Sequence, residues 1–163
     1  FHAGVEGSYT PSARQRELFR YAAECGAHIV YNSHPHVLQP MERYGDSVIL
    51  YSLGNFSFGG NRNPSDKDSA VIQVEVERQA DGSVKLDGVT AYPCSVSSRS
   101  DRNDFRPTLC EPGSPQADRV ARKPAAFHRI ASFCRRAELD SIEKLYARTM
   151  KIARTKGENF VKR

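Results

Sequence analysis

Two short apolar runs, each ending in a polar loop, constrain this chain more than any other feature. The first run, residues 27–31, has the length and β-branching of a buried strand and leads into the polar residues 32–36. The second run, residues 48–53, leads into Gly54, Asn55 and Phe56. Layered α/β proteins bind ligands at the ends of their strands. The two runs therefore predict an α/β fold whose site contains two imidazoles and a carboxamide.

The triplet His34, Pro35 and His36 predicts a metal-binding loop. Two positions apart on an extended chain, the two imidazoles point to the same side. Pro35 fixes its own φ and keeps His34 out of the α region, so the loop is stiff. Neutral imidazole is a ligand for zinc, iron, nickel and copper, and it joins carboxylates in manganese sites. The alternative is a turn with two surface histidines, and two ligands alone do not complete a site.

Further motifs surround this loop in a fixed order. They are His-x-Gly-x-Glu from His2, Thr-Pro-Ser from Thr10, Gln-Arg-Glu-Leu from Gln15, Gly-Ala from Gly26, His-Pro-His-Val-Leu-Gln-Pro from His34 and Tyr-Ser-Leu-Gly-Asn-Phe from Tyr51. Together they resemble the C-terminal half of the bacterial capsule-synthesis protein CapA family, whose members are linked to poly-γ-glutamate capsules. The resemblance is specific from residue 1 to about Phe58, continues weakly to Pro107, and ends near Pro115.

The resemblance implies a calcineurin-like metallophosphoesterase fold, of which this chain is the C-terminal portion of a two-sheet αββα sandwich. In that superfamily a dinuclear metal site gathers five motifs from strand ends, and the last two are a lone histidine and a Gly-His-x-His loop. His2 matches the lone histidine, and His34 and His36 match the final pair. The resemblance therefore implies that these three histidines bind divalent metal ions of manganese, iron or zinc.

Two further polar residues are candidates for catalysis. Glu6 either orients a ligand imidazole or acts as a base that positions substrate, and the alternative is a solvated loop acid. Asn55 follows Gly54, a residue that permits close backbone approach. Its amide either bonds a ligand or substrate oxygen or closes a turn.

The chain departs from the resembled pattern in three respects. Ser33 stands where the superfamily often has glycine, and Ala3 stands where the family often has tryptophan. The superfamily's first motifs, an aspartate-containing strand end, Gly-Asp and Asn-His, would precede Phe1. The chain also begins without an initiator Met. We therefore expect a truncated protein that has no substantial activity by itself.

Two functions from different classes follow from the resemblance. The first is metal-dependent hydrolysis of a phosphoryl or related bond in capsule poly-γ-glutamate biosynthesis or export. The second is a non-catalytic accessory that binds the anionic polymer together with other capsule-synthesis proteins. Nucleic-acid binding is not expected, because the basic part of the chain has few aromatic residues for stacking. The family suggests an extracytoplasmic or membrane-associated location, with membrane attachment through parts outside this chain, since the apolar runs here are too short to span a bilayer.

Charge divides the chain into two regions. Residues 119–163 hold 13 Lys and Arg against 4 Asp and Glu, whereas residues 1–118 hold 11 against 15. We predict a CapA-like domain over residues 1–115 and a basic extension over residues 116–163 formed by two helices at 119–136 and 138–156. With their apolar stripes packed inward, these helices would present basic residues to water and attract a polyanion.

Local signals predict the elements before residue 116. A helix begins near residue 11, with either Thr10 or Ser12 as N-cap, and ends at Gly26. Strands follow at 38–44 and 48–53 around a hairpin turn. Alternating residues at 70–76 and a return strand at 84–92 surround the turn at Asp81 and Gly82, with a bulge at Gly88. Residues 93–118 are predicted to be loop.

The four cysteines match no CxxC metal pattern. Cys94 and Cys110 bracket a polar loop. They form a disulfide if the protein is exported, and the alternative is four unpaired thiols.

Overall fold

The fold is α/β, with two small sheets and two helices in the part of the chain that the structure describes. The computed structural model describes residues 1–123 and a two-residue strand at 132–133. The first sheet contains β1 (Ile29–Tyr31), β2 (Met41–Tyr44) and β3 (Ser47–Leu50), in the order β1-β3-β2. β1 is parallel to β3, and β2 and β3 form the predicted hairpin, in which Tyr44 pairs with Ser47.

The second sheet is built on one long antiparallel pair. It consists of β4 (Asp68–Arg78), β5 (Val84–Ser95), β6 (Thr108–Leu109) and β7 (Ser132–Phe133). β6 is antiparallel to β5, and β7 runs parallel to β5. The turn predicted at Gly82 is confirmed, with φ of 86°. The bulge is confirmed as well, because the register shifts where Glu75 pairs with Gly88 and Val76 pairs with Leu86.

Of the two predicted N-caps for helix α1 (Ala13–Glu24), Ser12 is correct. Its hydroxyl accepts a hydrogen bond from the backbone N–H of Gln15 at 3.2 Å. The Gln15 side chain does not return to the cap and instead enters the interior. The helix ends at Glu24 with Cys25 as its C-cap, and Gly26 follows in the predicted left-handed conformation, with φ of 98°.

Two apolar cores separate three layers. Between α1 and the first sheet lie Phe19, Val30, Ile49 and Tyr51. Between the two sheets, buried side chains from the first sheet, the second sheet and helix α2 (Pro115–Arg122) pack together; they include Met41, Leu50, Ala91 and Val120. The layer order is thus helix, sheet, sheet.

The prediction for residues 93–136 is wrong in part. β5 continues to Ser95, β6 forms at 108–109, and α2 begins at Pro115 with Ser114 as its N-cap. The helix predicted over 119–136 ends at Arg122, with Lys123 as its C-cap, and residues 132–133 form β7 instead. The helix predicted over 138–156 lies outside the described residues, and the boundary at 115 stays a prediction. Within residues 1–123, neither helix has the length and apolar character needed to cross a bilayer.

Of the two alternatives for Cys94 and Cys110, a disulfide or unpaired thiols, the structure shows two free thiols. Cys94 pairs with Leu109 across the strands, whereas the Cys110 N–H donates to the carbonyl of Pro93 at 2.8 Å. Cys110 is therefore one position away from the residue that pairs with Cys94. Because successive side chains on a strand alternate, the two cysteine side chains point to opposite faces of the sheet. Burial raises the pKa of Cys94 to about 12 and that of Cys110 to about 11.

Candidate functional site

The three candidate ligand histidines lie close together, and we call them the histidine cluster (His2, His34 and His36). The Nδ1 atom of His34 is 2.9 Å from the Nε2 atom of His2, and the centroids of these two rings are 4.6 Å apart. The centroids of the His34 and His36 rings are 6.2 Å apart. His2 is exposed and the other two are half-buried. The fold thus brings together residues that are 32 positions apart in the sequence.

A buried asparagine holds His2 in this cluster, and the sequence analysis missed it. Asn32 directly follows β1 and is fully buried. Its Oδ1 accepts a hydrogen bond from the Ala3 N–H at 2.8 Å, and its Nδ2 donates to the carbonyls of Ala3 at 2.8 Å and Tyr51 at 2.9 Å. The backbone nitrogen of Phe1 donates to the Tyr31 carbonyl at 2.8 Å. The segment that carries His2 is therefore tied to the end of the first sheet. The sequence signal that could have identified Asn32 is its position directly after an apolar strand.

Two buried glutamines extend this support. The Nε2 atom of Gln15 donates to Oε1 of Gln39 at 2.9 Å and to the Tyr51 carbonyl at 3.0 Å. Gln39 in turn donates to the carbonyl of Ser8 at 2.8 Å. Gly4 is required where the segment crosses them, since its φ is 118° and an added Cβ would lie 2.8 Å from Oε1 of Gln15. Neutral amides, rather than charges, therefore fix the segment that follows His2.

The extended conformation predicted for the His34-Pro35-His36 loop is wrong. These residues form a turn, and His36 has φ of 60°. Pro35 favours the first central position of a tight turn, and the residue after it then takes a left-handed φ, as in a type II turn. For a residue other than glycine this conformation costs about 1–3 kcal/mol and is concentrated at functional sites.

Asn55 stabilises this turn and orients the His36 ring. Its Oδ1 lies 2.7 Å from Nδ1 of His36, and its Nδ2 donates to the His36 carbonyl at 3.3 Å. The Phe58 ring lies beside the imidazole, with the two centroids 4.7 Å apart. When Nδ1 donates its proton to Asn55, the neutral ring presents the lone pair of Nε2 to a ligand. Asn55 thus supports His36 through two contacts, one with the imidazole ring and one with the backbone carbonyl.

Glu6 lies near the cluster without bonding to it. It is exposed, and the neighbouring Gly7 N–H donates to the Pro35 carbonyl at 2.8 Å, which brings the Glu6 loop to the His34–His36 turn. Among the described residues, no hydrogen bond or ion pair of Glu6 with a histidine occurs. The orienting role predicted for Glu6 stays a prediction.

The histidine cluster fits a metal ion in part. Across residues 1–123, no group of three or more His, Cys, Asp or Glu side chains is close enough to form a complete metal site. His2 Nε2 and His34 Nδ1 nevertheless lie 2.9 Å apart, and a metal ion can replace a proton at such a position because it binds the deprotonated nitrogens. These two atoms would hold the ion, with Nε2 of His36 as the third candidate.

Comparison with known proteins bears on the same residues. Residues 1–60 match the family model described as the bacterial capsule synthesis protein PGA_cap. Over 83 residues the chain is 43% identical to the PGA biosynthesis protein CapA of Bacillus subtilis (strain 168), and over 109 residues it is 38% identical to the capsule biosynthesis protein CapA of Bacillus anthracis. The resemblance to the CapA family is confirmed.

The CapA relatives are much longer than the matched region. The matches cover 50% and 63% of this chain but only 21% and 25% of the two relatives. The chain thus spans about a fifth to a quarter of their length. All five candidate residues fall within residues 1–60, the part that the CapA family model matches.

A second polar group lies outside the residues that the CapA family model matches, and we call it the aspartate cluster (Asp66, Asp68, Arg119 and Lys123). Asp68 accepts two hydrogen bonds from Arg119, at 2.9 and 2.8 Å, and lies 2.8 Å from the Lys123 ammonium. Lys123 also donates to Asp66 at 2.6 Å. Burial raises the pKa of Asp68, but the hydrogen bonds from Arg119 and Lys123 outweigh it and hold this pKa below its usual value. No local sequence signal links residues 51 positions apart, so sequence analysis missed the cluster.

Proposed function

We propose that this chain supplies the histidine half of a metal-dependent hydrolase site in a capsule-biosynthesis protein of the CapA type. The observation that carries the proposal is the 2.9 Å approach of His34 Nδ1 to His2 Nε2. Two imidazole nitrogens from distant parts of the chain, held by buried amides, provide a pair of neutral donors that suits a divalent metal ion. The layer order of helix, sheet and sheet supports the metallophosphoesterase-like sandwich, of which these layers would be one part.

Each candidate residue has a proposed role. His2, His34 and His36 bind manganese, iron or zinc, and such an ion supplies a Lewis acid for hydrolysis. Asn55 positions the His36 ring so that Nε2 faces the site, and Asn32 positions the segment that carries His2. Glu6, exposed beside the turn, is free to approach substrate as a base.

We propose that the polymer is poly-γ-glutamate. The name of the Bacillus subtilis relative refers to PGA biosynthesis, which supports poly-γ-glutamate as the anionic polymer on which the whole protein acts. We extend the proposal to an extracytoplasmic or membrane-associated location and to assembly with other capsule-synthesis proteins.

The alternative, a non-catalytic accessory that binds polyanions, has less support. It rests on the basic region from residue 119 onward, most of which lies outside the described residues. Within the described part, Arg119 pairs with Asp68, Arg122 with Asp118, and Lys123 with both aspartates of the aspartate cluster. The side chain of Lys123 is only 20% exposed, so the prediction that it faces water is wrong.

The test is metal-dependent hydrolysis of a generic phosphodiester by a protein of the relatives' length that contains this segment. We expect His34→Ala and His36→Ala to lower kcat/KM at least tenfold, about 1.4 kcal/mol of transition-state stabilisation. His28→Ala, at an exposed histidine outside the cluster, is the matched control and should keep full activity. Full activity in both cluster variants would refute the hydrolase. Polymer binding that is lost when the basic region is removed, with no hydrolysis by the wild type under any metal, would favour the accessory.

A further inference from the structure

Phe58 contacts the imidazole of His36 but is a member of neither apolar core. The centroids of the two rings are 4.7 Å apart, and the ring planes are inclined at 37°. Aromatic pairs prefer centroid separations of about 4.5–7 Å. Phe58 nevertheless remains 41% exposed, so burial of its ring adds little to folding. Its position points to a role at the histidine cluster.

The hydrogen bond from His36 to Asn55 leaves the imidazole with freedom to rotate. Oδ1 of Asn55 can only accept, so Nδ1 of His36 carries the proton and Nε2 has the free lone pair. Rotation of a histidine ring about its Cβ–Cγ bond has broad minima, and one hydrogen bond restrains a single atom of that ring. A second ring packed beside the imidazole limits the rotation that remains.

The loop at 56–64 keeps Phe58 in this position. Gly60 lies against the tip of the phenyl ring, since a Cβ added to Gly60 would be 2.8 Å from Cε1 of Phe58. Only a residue without a side chain allows the backbone to approach this closely. Nδ2 of Asn103 donates to the carbonyl of Asn61 at 3.3 Å, which attaches the loop to the segment that follows β5.

We propose that Phe58 is a positioning residue, whose ring restricts the imidazole of His36 so that Nδ1 stays bonded to Asn55 and Nε2 faces the site. The inference rests on the proposed function in one respect, namely that Nε2 of His36 binds the metal ion. The restriction of the ring itself is a property of the metal-free chain. The two parts can therefore be tested separately.

The first experiment measures the tautomer of His36 in the metal-free 163-residue chain by ¹⁵N NMR at about pH 8, above the ordinary pKa of histidine. We expect the wild type to hold the proton on Nδ1. Phe58→Leu should raise the population protonated on Nε2 at least twofold, and Phe58→Tyr, which retains the ring, should match the wild type. Phe105→Leu is the matched control, because Phe105 is also 41% exposed and contacts no imidazole among the described residues.

Two glycine variants test the loop while leaving Phe58 in place. Gly60→Ala must displace the tip of the phenyl ring, so it should shift the tautomer of His36 in the same direction as Phe58→Leu and by a smaller amount. Gly59→Ala places its Cβ in open space and should have no effect. Equal effects of the two variants would overturn the role of the loop.

The second experiment measures zinc affinity by calorimetry, with far-UV circular dichroism to check that each variant is folded. Phe58→Leu should weaken zinc binding at least threefold, whereas Phe58→Tyr and Phe105→Leu should change it less than twofold. An unchanged tautomer population in Phe58→Leu would overturn the inference. Equal zinc affinities of wild type and Phe58→Leu would overturn the role of Phe58 in metal binding. A wild type that shows the expected tautomer but binds no zinc would refute the metal assignment of the proposed function and support the positioning of the ring.

Discussion

The histidine cluster and the aspartate cluster are both polar, yet they are stabilised in opposite ways. His34 and His36 follow the end of β1, whereas Asp68 is the first residue of β4. The aspartate cluster is saturated, since Arg119 and Lys123 occupy the oxygens of Asp68. The histidine cluster is supported from behind by neutral amides, and its ring nitrogens are left to pair with one another or with a ligand.

This difference indicates which cluster maintains the fold and which one is available for chemistry. Asp68 has a side chain that is only 2% exposed, so its charge requires the two cations. His2 is exposed and His36 is held in a strained turn. Strain and unused donor atoms are expected where a protein binds a ligand rather than where it stabilises itself.

The largest expected effect is on stability and comes from the aspartate cluster. Asp68→Asn removes the buried acceptor of two cations and should lower the free energy of unfolding by about 3–5 kcal/mol. Asp118→Asn is the matched control, because the Arg122–Asp118 pair is exposed and such pairs contribute about 0–1 kcal/mol. Urea unfolding of both variants measures the difference. Equal losses would show that the aspartate cluster is not a stabilising element.

The next largest effect concerns the support of His2. Asn32→Ala removes three hydrogen bonds from a fully buried site, and we expect a loss of about 2–4 kcal/mol. Asn63→Ala, at an exposed loop position, serves as the comparison and should change stability by less than about 0.5 kcal/mol. If Asn32→Ala is as stable as wild type, the amide support assigned to the N-terminal segment is wrong.

A smaller effect is expected on acidification. The pKa of Asp68 is lower in the folded chain than in the unfolded chain, so its pairing contributes stability above about pH 4 and loses that contribution as the pH falls through the folded pKa. Unfolding experiments between pH 7 and pH 2 should therefore show a steeper loss for wild type than for Asp68→Asn. Parallel pH profiles of the two proteins would contradict the ion-pair account.

Elements with a local signal were predictable from the sequence, and contacts between distant residues were not. The β4–β5 hairpin follows from alternating residues such as Ile72 and Val74 around an Asp-Gly turn, and α1 follows from its cap and closing glycine. The pairing of Asp68 with Arg119 depends on how two sheets and α2 pack, which no local pattern encodes. The left-handed His36 was missed because the Asn55 amide that holds it lies 19 residues away.

The residues of the candidate site could be predicted from the sequence, but the buried amides that hold them in place could not. His2, His34, His36 and Asn55 carry motifs that the chain shares with CapA relatives, so the sequence alone could select them. Asn32 belongs to none of these motifs and Gln15 only begins the Gln-Arg-Glu-Leu motif, and the supporting role of both amides depends on their burial within the fold. A buried amide is recognisable only when its partners are known.

The most direct test of the account is divalent-metal binding by the 163-residue chain, measured by calorimetry with zinc and manganese. We predict weak binding of a metal ion that His34→Ala abolishes and that His28→Ala leaves unchanged. Since His34 contributes little to the packed cores, His34→Ala should also retain wild-type stability to within about 1 kcal/mol. Metal affinity that is unchanged in His34→Ala, or equally reduced in His28→Ala, would contradict the assignment of the histidine cluster as the metal-binding part of this chain.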